Sequence, residues 1–214
     1  NSVKKIKEFS KKLGDDVLNL VNMSYYQGLE LAMNAGIDFS IGDFVYEFDS
    51  MISSKDADEI MKSYYKCLEG YDIVSVTAKN NIRKTSSIFY KIFNKYSNLE
   101  YKLTTETFRI LSRRAINRVH SISKTIPYRK AVYANCGLKL FNLKYEPKTK
   151  GNKKLNKQVK NNRKDTAVNS LILFTNLGYK FSIIMSILMI IVTLFVGIYT
   201  VSVFIGGNPV EGWT

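Results

Sequence analysis

The stretch LAMNAGIDFSIGDFVYEFDSM, residues 31–51, is the most informative part of this chain. Its small and apolar residues predict the end of a helix, the Gly42-Asp43 pair predicts a turn, and residues 44–48 predict a strand that stops at Asp49. In open α/β sheets, ligands bind beyond the carboxyl ends of the strands, so a carboxylate there indicates a phosphate or metal site. A second interpretation stays open, because an aspartate in this position often only caps the next turn or helix.

Segments with helical and strand-like patterns alternate on both sides of this stretch. Apolar residues recur at helical spacing in residues 3–13, 25–35, 57–68, 88–96 and 113–123. Strand-like runs occupy residues 17–21, 71–77, 107–111 and 138–145. This alternation predicts an α/β fold with a mostly parallel sheet and helices on both faces. The chain has 214 residues, of which 45% are hydrophobic, enough for one core domain that we expect over residues 1–147.

Residues 181–205 contain no charged side chain and predict a transmembrane helix. Such a helix is about 37 Å long at roughly 1.5 Å per residue, whereas the hydrocarbon core of a bilayer is ~30 Å thick. Basic residues such as Lys164 and Lys180 crowd its N-terminal side, and only Glu211 is charged after it. The positive-inside rule therefore predicts a cytoplasmic globular part anchored in the cell (inner) membrane. A buried helix of a soluble protein is the alternative.

The strong positive charge of the chain indicates an anionic partner. The formal net charge is +14, and residues 148–164 are rich in lysine and contain no acidic residue. We assign residues 148–180 to a basic juxtamembrane segment, within which the apolar residues 166–179 predict an interfacial helix. Anionic lipid headgroups are the expected partner of this segment, although a basic loop that is merely solvated is the alternative. Nucleic acid is not expected, because the basic run lacks aromatic side chains for base stacking.

Cysteine and histidine are too scarce for several kinds of chemistry. The two cysteines, Cys67 and Cys136, are far apart and have no metal-ligand spacing, so neither a disulfide framework nor a zinc site is expected. The single histidine, His120, has no partner motif. Catalysis that depends on histidine is therefore disfavoured.

Residues 34–49, NAGIDFSIGDFVYEFD, resemble the core of family 2 glycosyltransferases, in the branch that acts on polyprenyl phosphates at membranes. Four further pieces fit in the same order: YDIV at 71–74, FRILSR at 108–113, YEP at 145–147 followed by Gly151, and the terminal hydrophobic span. The resemblance implies a GT-A Rossmann-like fold, a nucleotide-sugar donor and a polyprenyl phosphate acceptor. It also implies a nucleotide-binding strand upstream of the chain, and residues 206–214 as the start of a link to a second transmembrane helix.

The resemblance further implies a divalent metal, Mg²⁺ or Mn²⁺, held by a D-x-D pair that neutralises the leaving diphosphate. The corresponding residues here are Asp49, Ser50 and Met51. Asp49 is retained as the candidate metal ligand and donor-site residue. A thioether is a poor ligand for a hard cation, so Met51 weakens the expectation of metal binding.

Other residues of the resemblance map onto possible base and phosphate-binding positions. Relatives have a carboxylate just before the F-R-x-x-S-R string, and the nearest candidate here, Glu106, is displaced by one position. On a strand, that displacement would turn the side chain to the opposite face. The paired arginines correspond to Arg109 and Arg113, whose guanidinium groups suit phosphate oxygens. Lys148 and Lys154 lie where relatives place further phosphate-binding residues.

These observations lead to one principal hypothesis and one alternative. The chain is expected to be a membrane-anchored glycosyltransferase that transfers a sugar from a nucleotide donor to a polyprenyl phosphate or a related membrane acceptor, for cell-envelope glycan synthesis. The alternative is a degenerate, non-catalytic membrane protein that keeps the fold for binding or assembly. Met51 and the displaced Glu106 are the reasons for that alternative.

Overall fold

The computed structural model describes residues 2–14, 17–49, 57–79, 84–123, 126–147 and 156–207. Within these residues the chain forms eight helices and four strands in a mixed α/β arrangement. The helices are α1 (Ser2–Leu13), α2 (Gly28–Asp38), α3 (Asp58–Leu68), α4 (Lys84–Tyr96), α5 (Arg113–Ile122), α6 (Arg129–Ala134), α7 (Lys157–Phe174) and α8 (Leu177–Ile205). The strands are β1 (Phe44–Phe48), β2 (Ile73–Ala78), β3 (Phe108–Ser112) and β4 (Leu140–Tyr145).

The four strands form one sheet in the order β1-β3-β2-β4. Strand β3 is antiparallel to both of its neighbours, and only β2 and β4 are parallel. The prediction of a mostly parallel sheet is therefore wrong. After β2, α4 leads the chain away, and the irregular residues 97–107 return it to the end of β2 that it had left. There the amide of Thr107 donates to the carbonyl of Val76, so β3 must run backwards along β2.

One face of the sheet is apolar and is covered by α3. Side chains that lie opposite one another in neighbouring strands point to the same face. On this face Val74 and Ile110 are fully buried, and they pack with Cys67 of α3. The other face carries two rows of side chains. The first row is apolar, packs beneath α5 and α6, and consists of Val45, Leu111, Ile73 and Leu140.

The second row on that face is polar and crosses all four strands. Glu47 lies opposite Arg109, Arg109 opposite Ser75, and Ser75 opposite Asn142. Polar groups in the middle of a sheet are costly unless they are paired, so this row is the part of the fold that most needs a functional or structural explanation.

The ends of the helices follow local sequence signals. Helix α3 begins with Asp58 and Glu59, whose charges favour a helix N-terminus, and Gly70 follows its end with φ +98°. Helix α5 begins at Ser112, whose hydroxyl accepts a hydrogen bond of 3.1 Å from the amide of Ala115. The helix predicted over residues 113–123 is therefore confirmed and has a defined N-cap.

The strand predicted over residues 17–21 is wrong. These residues are irregular, and Val17 exposes 68% of its surface. Among the described residues no strand pairs with this segment, and β1 has β3 as its one neighbour in the sheet. An apolar run adopts strand geometry only where a partner supplies the ladder hydrogen bonds.

The C-terminal part is divided differently from the sequence prediction. Helix α8 is strongly apolar, is not buried, and is long enough to cross a membrane. It begins before residue 181, and the helix predicted over residues 166–179 is shared between α7 and α8. The break falls at Thr175 and Asn176. One side of α7 packs on the globular core through Leu171 and Phe174.

Candidate functional site

A cluster of charged side chains lies at the end of β1, on the polar face of the sheet. We call it the charged cluster, and it comprises Glu30, Glu47, Asp49, Glu106, Arg109, Arg129 and Lys130. Glu47 and Asp49 both pair with Arg109 and Arg129, so their side chains lie on the same side of the sheet.

Arg109 is the centre of the charged cluster and exposes only 1% of its side chain. Its guanidinium pairs with Glu47 across the β1–β3 ladder. It also donates to Asp49 at 2.9 Å and to Glu106 through Nε at 2.9 Å. Burial alone would lower the pKa of Arg109, but the carboxylates of Glu106, Asp49 and Glu47 outweigh it and raise that pKa well above its usual value.

Arg129 is the second buried arginine, at the first position of α6. Its side chain pairs with Glu30 at 3.0 Å, with Glu47 at 2.8 Å and with Asp49 at 3.2 Å. Its backbone amide also donates to Glu30, so α2 and α6 are joined through this carboxylate. Two buried guanidinium groups thus share the carboxylates of Glu47 and Asp49, and the two positive charges are compensated.

Tyr133 completes the hydrogen bonding of Glu47. Its hydroxyl donates to Glu47 Oε1 at 2.6 Å, and its ring lies 5.5 Å from the guanidinium carbon of Arg109. Burial and the adjacent Glu47 raise the pKa of Tyr133 well above its usual value, so the phenol stays protonated and remains a donor. Glu47 is therefore held on all sides, which is typical of a structural carboxylate.

Asp49 differs from Glu47 because it is partly open, with 13% of its side chain exposed. Burial would raise the pKa of Asp49, but Arg109, Lys130 and Arg129 together outweigh it and lower that pKa below its usual value. Asp49 is therefore ionised at neutral pH.

Lys130 is the cation of the cluster with the loosest pairing. Its ammonium lies 3.6 Å from Asp49 and donates at 3.3 Å to the hydroxyl of Tyr90 in α4. Burial alone would lower the pKa of Lys130, but Glu106, Tyr90 and Asp49 raise it, so the side chain is charged at neutral pH. Since an ammonium has three donors and no fixed fork, it can be redirected to a ligand more easily than either arginine.

A cavity of about 130 Å³ adjoins the charged cluster. Glu106, Arg109, Lys130 and Tyr133 form its charged side, and Tyr101 belongs to another part of its wall. Ser75 and Asn142, the last two members of the polar row, also line it.

The polar row of the sheet supplies the hydroxyl and amide groups of this cavity. The amide nitrogen of Asn142 lies 3.0 Å from the hydroxyl of Ser75, 3.2 Å from that of Thr77 and 3.0 Å from that of Thr104. Its amide oxygen is buried and has no hydrogen-bond partner among the described residues. Turning the amide by 180° would let this oxygen accept from the same three hydroxyls, so Asn142 provides a polar wall and does not by itself indicate a ligand.

The structure brings three of the sequence-predicted site residues together and separates a fourth from them. Asp49, Glu106 and Arg109 are in direct contact. Arg113 lies apart from them, because its guanidinium donates to the carbonyl of Gly42 at 2.6 Å. The neighbouring Arg114 instead pairs with Asp72 at 2.7 Å. Lys148, Lys154 and Met51 lie outside the described residues.

The expected side of Glu106 needs correction. The displacement by one position predicted a side chain on the face opposite Arg109, yet Glu106 contacts Arg109. Strand β3 begins at Phe108, so Glu106 lies in the irregular segment before it, where strand alternation does not hold.

Sequence reasoning missed Glu47, Arg129 and Lys130. A signal for Glu47 was present, since it precedes Asp49 by two positions in a predicted strand and so shares its face. For Arg129 and Lys130, the signal was a pair of cations inside an otherwise apolar run, residues 126–134. Charged residues in a buried run need partners of opposite charge. Glu47 and Asp49, at the end of the predicted strand, are carboxylates that could provide them.

The described residues around Asp49 do not fit a divalent metal ion. Its carboxylate oxygens face three cationic side chains, Arg109, Arg129 and Lys130. No group of three or more potential ligands that could hold a metal ion occurs among the residues described. A hard cation needs several oxygen ligands and is repelled by cations, so any metal here would take ligands from other parts of the chain. Metal binding remains a prediction.

Comparison with known proteins supports a glycosyltransferase. No protein-family model matches the chain. Two curated proteins that are named uncharacterized glycosyltransferases are similar to it. One, from Synechocystis sp., is 28% identical over 150 residues, which cover 65% of this chain and 46% of that protein. The other, from Bacillus subtilis, is 22% identical over 150 residues, which cover 67% of this chain and 46% of that protein. The chain thus spans about half the length of the curated relatives it matches.

Proposed function

We propose that the protein is a membrane-anchored glycosyltransferase of the family 2 type, which transfers a sugar from a nucleotide-sugar donor to a polyprenyl phosphate or a related membrane acceptor. One observation carries the proposal. Asp49, Glu106 and Arg109 are far apart in the sequence and correspond to the acidic and basic positions of the resemblance, yet they meet at one end of the sheet. Glu106 and Arg109 also line a cavity with cationic and hydroxyl-bearing walls. The glycosyltransferase-named relatives support the same class of enzyme.

The cavity walls suggest how the roles are divided among residues. Glu106 is the group that accepts a proton from the acceptor or orients an anionic acceptor, because its carboxylate lines the cavity. Lys130 contacts phosphate oxygens, since its pairing with Asp49 is loose enough to be exchanged for a ligand. Arg109 acts as a positioning residue that holds Glu106 and Asp49. Ser75 and Asn142, which both line the cavity, suit the hydroxyls of a sugar.

The proposal includes three further phosphate-binding residues, Arg113, Lys148 and Lys154. Arg113 reaches the polyprenyl phosphate only if it leaves the carbonyl of Gly42. Lys148 and Lys154 are proposed as further phosphate contacts near the basic juxtamembrane segment. The apolar α8 would hold this assembly at the inner membrane, with the globular part in the cytoplasm.

The test is a transfer assay with the full-length gene product in nanodiscs. It is supplied with a panel of radiolabelled nucleotide sugars and with polyprenyl phosphate, and label is measured in the extracted lipid. We expect transfer with at least one donor and a large loss of transfer in Lys130→Met. Lys62→Met, which changes an exposed lysine of α3, is the matched control and should keep the parental rate. Absence of transfer with every donor would remove the enzyme proposal.

A second candidate function is a non-catalytic protein that keeps the fold for binding or assembly. The compensation within the charged cluster favours it, because both oxygens of Asp49 are already paired with arginines. Met51→Asp separates the two candidates. A large gain of Mn²⁺-dependent transfer in this variant would indicate that the parent has lost its activity. If the parent is active and has the same rate as Met51→Asp, the non-catalytic candidate is contradicted.

A further inference from the structure

We infer that α4 and α7 together form a docking face that rests on the headgroups of an anionic membrane beside the start of α8. This inference rests on the proposed membrane placement of α8. Helix α4 has two distinct sides. Phe89 and Phe93 pack into the globular core, whereas Ile88 and Ile92, one helical turn apart, are exposed by 59% and 38%. Helix α3 also exposes apolar side chains, so the exposure of Ile88 and Ile92 indicates a docking face only together with the contacts and charges of α4 and α7.

Helix α7 repeats this arrangement. Leu171 and Phe174 pack on the same core cluster as Phe89 of α4. The outer side of α7 exposes Ile172 and Leu173 by 64% and 60%. Two helices that share one inner cluster therefore both expose apolar side chains on their outer sides.

Direct contacts join α4 to the start of α8. The backbone amide of Asn176, in the break before α8, donates to the carbonyl of Tyr96 at 3.1 Å. The ammonium of Lys180, in the first turn of α8, lies 5.3 Å from the centre of the Tyr96 ring. Lys95 lies over the same ring at 5.4 Å. A tyrosine between two lysines, next to an apolar helix long enough to cross a membrane, is an arrangement suited to the headgroup level.

Charge identifies lipid, and not a second copy of the chain, as the partner of this docking face. Helix α4 contains no acidic residue, and its lysines, such as Lys91, lie beside the exposed isoleucines. Helix α7 adds Arg163 and Lys164, both exposed, and its single acidic residue is the exposed Asp165. Two copies that met through this face would bring like charges together, whereas anionic headgroups neutralise them. Lysine stems can also lie along the apolar surface while the ammonium groups reach the headgroups.

The docking face also relates the membrane to the cavity. Tyr90 of α4 accepts a hydrogen bond from Lys130, which lines the cavity. The residues after α4 continue into the cavity wall at Tyr101, Lys102 and Leu103. A membrane under α4 would therefore lie next to the proposed acceptor site, and the headgroup of a lipid acceptor could enter without leaving the bilayer surface.

The experiment measures the environment of single nitroxide labels on the full chain in liposomes. Labels are attached to Ile88→Cys, Ile92→Cys and Ile172→Cys, and their collision rates with oxygen and with a water-soluble nickel chelate are compared. Met61→Cys is the matched aqueous control, because Met61 is an exposed apolar residue of α3, across the sheet from α4. Val192→Cys in α8 reports insertion of the span. The native Cys67 and Cys136 are buried, and the parent chain measures any background label.

We expect the oxygen-to-nickel ratio to be highest at position 192 and several-fold higher at 88, 92 and 172 than at 61. The ratios at 88 and 92 should rise further when phosphatidylglycerol is added to phosphatidylcholine vesicles. A lipid-like ratio at 192 with aqueous ratios at 88 and 92 would overturn the docking face and leave the anchored glycosyltransferase intact. An aqueous ratio at 192 would overturn both. Close approach of two labels at position 92 from different chains would show a second copy on this face and also overturn it.

Discussion

Arg109 and Glu47 lie directly opposite each other in the β1–β3 ladder, and their ion pair is buried in the core. Arg109 also pairs with the carboxylates of Asp49 and Glu106. Removal of its charge would therefore leave these two acids and Glu47 with one cationic partner fewer. We expect Arg109→Leu to lower the free energy of unfolding by about 3–5 kcal/mol, the usual effect of removing one partner from a buried pair.

The measurement for Arg109→Leu is denaturant unfolding in detergent micelles, followed by near-ultraviolet circular dichroism of the packed tyrosines. Arg118→Leu is the matched control, because Arg118 is exposed and, among the described residues, donates to the carbonyl of Cys136. A change of similar size in both variants would contradict the central role of Arg109.

Asp49 predicts a loss of stability in acid. Its pKa is lower in the folded chain than the usual value of 3.8, because Arg109, Lys130 and Arg129 outweigh the effect of burial. The folded state therefore binds this proton less readily than the unfolded state. The resulting stabilisation is complete above the unfolded pKa and is lost as the pH falls through the lowered folded pKa.

The melting temperature measured from pH 7 to pH 3 tests this effect. We expect the melting temperature to decrease once the pH is below about 4–5. The decrease should be smaller in Asp49→Asn. Some acid sensitivity should remain, because the pKa of Asp72 is also lowered, where hydrogen bonds from Arg114 and Ser112 outweigh burial. Identical acid profiles for the parent and Asp49→Asn would show that Asp49 is not held by cations.

Ser112 predicts a measurable N-cap contribution at α5. Its hydroxyl accepts from the amide of Ala115 at 3.1 Å and donates to Asp72 at 3.0 Å. Ser112→Ala should cost about 1–2 kcal/mol of unfolding free energy, because a helix donor and a buried carboxylate both lose a partner. Ser121→Ala, in the same helix, removes an exposed hydroxyl that donates to the carbonyl of Arg118 and should change little. Equal changes in the two variants would count against the cap.

Most helices and strands were predicted correctly because hydrophobic periodicity and capping residues lie within the elements that they define. The strand over residues 44–48 is confirmed, and the glycine after α3 has the left-handed backbone that a C-terminal cap needs. The direction of β3 was not predictable in this way, since it depends on the irregular residues 97–107. The strand prediction for residues 17–21 was wrong for a related reason. An apolar composition favours a strand, but it does not show whether a neighbouring strand is present to pair with it.

The candidate site was predictable in part. Asp49, Glu106 and Arg109 come from the family resemblance, and the structure brings them together. Arg129 and Lys130 are close to them only because the short α6 crosses the polar face, and a six-residue helix leaves almost no periodic signal. The ion pairs of Arg129 and Lys130 form only when distant parts of the chain come together in the fold. The amino-acid composition alone therefore could not place these two residues in the site.

Glu106 gives the sharpest prediction about chemistry. Under the proposed function its carboxylate faces the acceptor across the cavity while Arg109 holds it from behind. Glu106→Gln keeps an oxygen that can still accept from Arg109 but cannot take a proton. We therefore expect kcat for sugar transfer to fall by about 10²–10⁴-fold, the usual range for a lost acid-base group, with little change in KM. Glu100→Gln, which changes an exposed acid in the same irregular segment of residues 97–107, is the matched control and should retain the parental kcat. Because Glu106 is one of three carboxylates that pair with the buried Arg109, Glu106→Gln should lower the melting temperature, and kcat is therefore measured at a temperature at which the variant is fully folded. A normal kcat in a folded Glu106→Gln chain would assign proton transfer to another group.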